Sequence, residues 1–166
     1  MSDIIVLMAS FAKVTNAPRP KTELSKQIAT VCAGLVAVVS VVQLFFFEDF
    51  VVFMSSIPFF SFLPGLVIAS LAAVFAVFSL PFLLRMPLSV AFRWLSMFFS
   101  WLTTFFWFIL SILIVYGGVA PARDSAFYYL DVISGPWLVF ATLGAIVMVA
   151  WASWGLWPIG LRKATK

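Results

Sequence analysis

Residues 94–116, reading WLSMFFSWLTTFFWFILSILIVY, contain neither a charge nor a proline. At a rise of 1.5 Å per residue, a helix of roughly 23 residues reaches about 34 Å, enough to cross a hydrocarbon core of about 30 Å. Arg93 stands immediately before the stretch and Tyr116-Gly117-Gly118 closes it, and both Arg and Tyr are residue types that water–lipid interfaces favour. The segment is predicted to be a transmembrane helix. Three other stretches resemble it, which places the spans at about 26–47, 64–84, 94–116 and 137–157.

Bulk chemistry agrees. The chain is 64% hydrophobic and only 10% charged, with a mean hydropathy of +1.17. Soluble domains carry about 25% charged residues, so most of this surface is expected to face something other than water. The expected fold is an all-α integral membrane protein, a four-helix transmembrane bundle with short interfacial helices. Residues 22–166 form its single membrane domain, and 1–21 form a cytoplasmic amphipathic segment and linker.

Along the chain, Ile4, Leu7, Met8 and Phe11 fall on one helical face, the pattern of a helix lying on a membrane surface. Pro18-Arg19-Pro20-Lys21 reads as an extended linker, because proline fixes φ and disfavours helix in the residue before it. Thr22 or Ser25 can cap the first span, with Glu23 near its positive end. Glu48-Asp49 is expected to stop that span at the far side. The stretch 50–63 is apolar yet broken by Ser55-Ser56, Pro58 and Pro64-Gly65, so it is expected to lie in the interface or dip back among the helices. A short connection, 85–93, makes spans two and three an antiparallel hairpin, and Pro81 is expected to bend the last turn of span two. In the loop 117–136, Asp124 or Ser125 can cap a short helix through Ile133, and the fourth span begins at Trp137.

Nine of the ten basic residues fall on one side of this threading, and Arg123 alone falls opposite, among Glu48, Asp49, Asp124 and Asp131. Cytoplasmic loops are enriched in Lys and Arg, so both termini are expected to be cytoplasmic, in a bacterial inner membrane. The basic residues flank the spans and form no patch interleaved with exposed aromatics, which argues against nucleic acid.

Candidate contact residues come from helix-packing chemistry. Ala29, Ala33 and Ala37 in span one, Ala69 and Ala73 in span two, and Ala141, Gly144 and Ala145 in span four form rows of small residues, which let helix backbones approach closely in lipid. Ser96, Ser100 and Thr104 lie four residues apart as a polar stripe, and Gln43, in the run 28–47, is the only amide side chain within the apolar run of a span. The chain has 20 phenylalanines, many in adjacent pairs such as Phe98-Phe99 and Phe105-Phe106. Adjacent helical residues diverge by about 100°, so such pairs cannot all face the interior. These four phenylalanines are the candidate docking residues for a partner.

Catalytic chemistry is hard to find. There is no histidine and one cysteine, Cys32, which argues against His-held metal or haem, His-based acid–base work and an internal disulfide. No phosphate-binding glycine loop is present, and no acid falls inside a span, where it would mark an ion path. We therefore expect no catalytic residue, no metal and no cofactor of its own. Bound lipid, and contact with a partner's hydrophobic cofactor, are the expected ligands. The expected role is a non-catalytic subunit that stabilises or assembles a larger integral membrane complex. The alternative is a small homo-oligomeric transporter or channel, or a transporter's small subunit. In size and layout the chain resembles the small membrane subunit of tripartite periplasmic transporters, a resemblance of architecture that rests on no motif.

Overall fold

The computed structural model describes residues 14–117 and 128–157. They form β1 (Val14–Thr15), α1 (Glu23–Phe45), α2 (Phe47–Ser56), a 3₁₀ turn (Pro58–Phe60), α3 (Gly65–Leu83), β2 (Leu88–Ser89), α4 (Val90–Tyr116) and α5 (Tyr128–Gly155). Four helices are long and apolar enough to cross a membrane: α1, α3, α4 and the Pro136–Gly155 part of α5. Their starts have local causes. The Thr22 side chain accepts the Ser25 N–H at 3.1 Å and Glu23 sits in the positive first turn of α1. Ser89 caps α4 by accepting from the Phe92 N–H.

Each long helix packs on two others: α1 on α3 and α5, and α4 on α3 and α5. The α3–α4 pair runs antiparallel, as the short connection implies, with Phe75 stacked on Phe99 and Ser96 bonded to Phe78. Helix α3 is the most covered, with 44% of its most apolar window buried, whereas α5 is the least, with 17%. Two apolar clusters fill the interior. One joins α2, α3 and α4 through Phe50, Phe53, Met54, Ile68 and Leu110. The other joins α1, α3 and α5 through Ala29, Ala33, Phe82, Val149 and Ala152.

Several boundaries differ from the sequence expectation. Glu48 and Asp49 do not stop the first span. It ends at Phe45, and both acids occupy the first turn of α2, where the helix dipole favours negative charge. The interrupted stretch that follows dips inward: Phe50, Phe53, Met54 and Ile57 are buried against α3 and α4. Gly65 permits this, since a Cβ there would meet the Val51 carbonyl at 2.6 Å and the Ser55 side chain. Helix α5 starts at Tyr128 and runs through Pro136, so the short helix expected to end at Ile133 is continuous with the fourth span, whose spanning part begins at Pro136, one residue from the expected Trp137. One proline removes a single ladder bond, and the cost of leaving backbone groups unpaired in an apolar setting keeps the rest of the ladder helical. The proposed amphipathic segment up to Lys13, the caps Asp124 and Ser125, and the basic tail Arg162-Lys163 and Lys166 lie outside the described residues.

Residues 14–21 run as a strap across one end of the helices. β1 pairs antiparallel with β2, with Val14 opposite Ser89 and Thr15 opposite Leu88. The Arg85 Nη2 then donates to the Pro18 carbonyl at 3.3 Å, and the Lys21 N–H donates to the Gly155 carbonyl at 2.9 Å. Gly155 has no room for a side chain, because a Cβ there would collide with Ser25. The linker is extended, as its prolines dictate, yet it is tied down. Arg93 also departs from its expected place just outside a span. With Ser89 as the cap it falls in the first turn of α4, 3% exposed, and its Nη2 donates to the Leu88 carbonyl at 3.2 Å.

Candidate functional site

The hydroxyl stripe on α4 faces α3 and is taken up with backbone groups. The Ser96 hydroxyl donates to the Phe78 carbonyl at 2.6 Å and accepts from the Phe82 N–H at 2.9 Å. Those two backbone groups are the ends of one helical rung, so the hydroxyl sits in the ladder of α3 beside Pro81. Serine hydroxyls from a neighbouring helix are a known remedy where a proline disturbs a membrane helix. Ser100 reaches the carbonyls of Ser79 at 3.3 Å and Ser96 at 3.1 Å, and Thr104 donates to the Ser100 carbonyl at 2.7 Å. The stripe continues beyond the three residues picked from the sequence. Ser111 lies seven residues after Thr104, and its hydroxyl bonds the Thr142 hydroxyl of α5 at 2.9 Å. Extending the 3.6-residue period through Ser111 finds it in the sequence. Chemically, this row ties α4 to both neighbours through hydroxyls.

Gln43 does not join that row. It is wholly buried, and neither its Oε1 nor its Nε2 has a hydrogen-bond partner. Thr103 Oγ1 and Trp107 Nε1, one turn apart on α4, are also buried without partners, and the Trp107 ring stacks on Phe50 with centroids 6.2 Å apart. A buried amide or indole N–H left unpaired costs about 1–3 kcal/mol, so these groups mark polar spots in an otherwise apolar interior.

The small-residue rows divide. Ala29 and Ala33 on α1 and Ala69 and Ala73 on α3 are buried, together with Ala72 and Ala76, where backbones come close. Ala37 and Ala145 are half-buried, whereas Ala141 and Gly144 on α5 lie exposed, and a Cβ on Gly144 would touch nothing within 4 Å.

The four candidate phenylalanines also divide. Phe99 is half-buried and stacks on Phe75, with centroids 5.4 Å apart, and half-buried Phe106 stacks on Phe60 at 6.1 Å. Phe98 and Phe105 point outward, 55% and 44% exposed. They belong to a stripe at helical spacing, Trp94, Phe98, Trp101, Phe105 and Ile109, in which Trp101 and Phe105 stack at 5.7 Å. By contrast, the outward side of α1 carries aliphatic Val31, Leu35, Val38 and Val41.

Among the described residues, no group of three or more His, Cys, Asp or Glu side chains gathers as a metal-ligand set. Cys32 is a free thiol inside the α1–α3–α5 cluster. The only ion pair found among them is the exposed Lys26–Glu23 contact at 3.3 Å, one turn apart on α1. Compared with protein-family models, with curated proteins and with solved structures, the chain gives no significant match.

Proposed function

We propose that this chain is a small integral membrane subunit without catalysis of its own, which packs against a larger membrane complex and stabilises or assembles it. In this reading the four long helices form a transmembrane bundle in a bacterial inner membrane with both termini cytoplasmic. The observation that carries the docking role is the aromatic stripe on the outward side of α4, on which Phe98 and Phe105 stand exposed. Lipid tails accept valine and leucine equally well, and α1 presents those to the outside. Stiff aromatic rings offer shape-specific contact at low entropic cost, which suits a protein partner better than fluid acyl chains. The outward Ala141–Gly144 patch on α5 adds a place where a partner helix can approach closely. Contact with a hydrophobic cofactor held by that partner fits the same aromatic face.

Gentle solubilisation followed by native mass spectrometry tests this. The chain is expected to come out with a larger membrane protein, and Phe98→Ala with Phe105→Ala is expected to lower that recovery while leaving the fold intact. Reporter fusions after Ser61 and Ser125 are expected to read outside, and fusions after Pro87 and Lys166 inside. An inside signal at Ser125 breaks the threading.

One observation favours the second reading, a small homo-oligomeric transporter or channel. Gln43 holds both amide atoms unpaired in the interior, and polar groups in a membrane interior commonly serve a path. A pure homo-oligomer that conducts solute in liposomes, with the flux lost in Gln43→Leu, would replace the subunit reading.

A further inference from the structure

Helix α2 presents two unlike faces. Phe50, Phe53, Met54 and Ile57 point inward and are buried against α3 and α4. On the other side Glu48, Ser55 and Ser56 stand exposed beside Val52. Charged and hydroxyl side chains of this kind are the chemistry of a surface that meets water. The helix therefore separates water from what lies behind it.

Behind it are polar groups with nothing to bond. Trp107 lies directly under α2, its ring stacked on Phe50, and its indole Nε1 is buried without a partner. Thr103 Oγ1, one turn further along α4, is buried and unpaired as well. On α1, wholly buried Gln43 leaves both amide atoms unbonded. The three residues belong to one zone of the interior. Along α1, Gln43 falls between Val36, which packs on the strap-end cluster, and Phe47, which packs on the α2 cluster. Along α4, Thr103 falls in the same way between Trp101 and Phe106. A buried polar group without a partner is penalised in proportion to the hydration it has lost, and the penalty is lifted when water reaches it.

The ends of α2 are places where the chain can turn. Phe46 alone separates it from α1, at φ −109° and ψ 37° and with no side-chain cap, and Ile57 at the other end is extended. Both residues lie outside the spanning helices, and a few positions of this kind are enough to serve as hinges. Against α3 the fit is close, since a Cβ on Gly65 would meet the Val51 carbonyl at 2.6 Å.

We propose that α2 is a hinged plug with a minor open state, in which it swings out about Phe46 and Ile57 and admits water to Gln43, Thr103 and Trp107. In the closed state the packing of Phe50, Met54 and Ile57 holds the plug in, and the unpaired groups behind it favour release. The proposal rests on the packing of α2 and not on the docking reading, so the chain purified without any partner is the material for its test.

The experiment uses the full-length chain in a neutral detergent. Thr103→Cys places a thiol behind the plug, and native Cys32, buried in the other cluster, is the internal control. Both thiols are timed against a small charged methanethiosulfonate, with the labelled site read by peptide mass spectrometry. The thiol of Thr103→Cys is expected to react about ten-fold faster than Cys32, because local opening is less costly than opening of the whole bundle. Adding Gly65→Ala wedges α2 off α3 and is expected to speed that reaction about ten-fold while leaving Cys32 unchanged. Adding Gln43→Leu keeps the bulk but leaves no amide for water to satisfy, and is expected to slow it about ten-fold. Gly144→Ala, where an added Cβ touches nothing within 4 Å, is expected to change neither rate. One arm needs no variant: in the wild type, amides at 50–56 are expected to exchange with deuterium about ten-fold faster than those at 69–76 in α3. Equal labelling of the two thiols, or an equal rise in both with Gly65→Ala, would mean that the bundle opens as a whole and would overturn the proposal. An unchanged rate in Gln43→Leu, or exchange in α2 no faster than in α3, would overturn it too.

Discussion

The two interior clusters both contain large side chains, Phe82 and Leu83 in the second among them, but they differ in how α2 enters the first and α1 the second. Around α2 the space between α3 and α4 is filled by large apolar side chains, with Phe50, Met54, Ile57 and Leu110 fully buried and Trp107 stacked over Phe50. Toward the strapped end, α1 meets its neighbours through Ala29, Cys32, Ala33 and Ala152, and Gly155 leaves no gap at all over Ser25. The first region is an inserted plug and the second is a close approach of backbones. In lipid, helices gain nothing from escaping water, so both depend on how well surfaces fit. The plug is sensitive to atoms removed, and the close approach to atoms added.

That contrast breaks most easily at Phe50. Phe50→Ala leaves a ring-sized void among residues that cannot follow it, a loss of about 3–5 kcal/mol that should appear as a large fall in melting temperature in detergent. A small fall would mean that α2 swings free and that the plug contributes little. Ala33→Leu tests the other region by addition. Its side chain has no space between α1 and its neighbours, and overpacking of this kind costs about 1–3 kcal/mol. The mirror-image changes should be milder, and if Ala33→Leu is silent the two ends do not differ in the way drawn here. The smallest expected effect is Ser96→Ala, which removes the hydroxyl between the Phe78 carbonyl and the Phe82 N–H. Interhelical hydrogen bonds in membranes average about 0.6 kcal/mol and reach about 1.7. Because the bond lies beside Pro81, the same variant should also speed amide exchange at Phe82, a reading that a mere packing change would not give.

The positions of the long helices were legible from residue chemistry, because an unbroken apolar run of sufficient length has one way to satisfy its own backbone. The Thr22 cap was legible for the same reason, being a bond between neighbours three residues apart. Errors gathered where a local signal admitted two readings. Glu48-Asp49 suits the end of one helix at water as well as the start of another, and the direction of the next turn decides. Pro136 reads as a break between a short helix and the fourth span, yet a single missing donor does not outweigh the ladder on either side, and one helix runs through it. Arg93 reads as the residue just before the helix, but one capping serine upstream starts α4 at Val90 and puts the guanidinium, buried, in its first turn.

The candidate contact residues were found by type and sorted only by packing. Phe98 and Phe99 are chemically identical neighbours, and about 100° of helical rotation sends one outward and the other onto Phe75. Likewise Ala33 and Ala141 belong to similar rows, and a helix of this chain covers only the first. Gln43 stood out as a lone amide, but its isolation from every partner depends on what α1 happens to face.

By itself the sequence determined where the four long apolar helices form, since that follows from bonds within one segment and from the apolar character of its residues. Tertiary structure alone decided which faces meet, that 50–57 folds inward, and that residues 14–21 return to pair with 88–89 and bring Arg85 and Arg93 to one cleft. These are contacts between residues far apart in the chain. They depend on the joint fit of several surfaces, and no spacing along one segment records that fit.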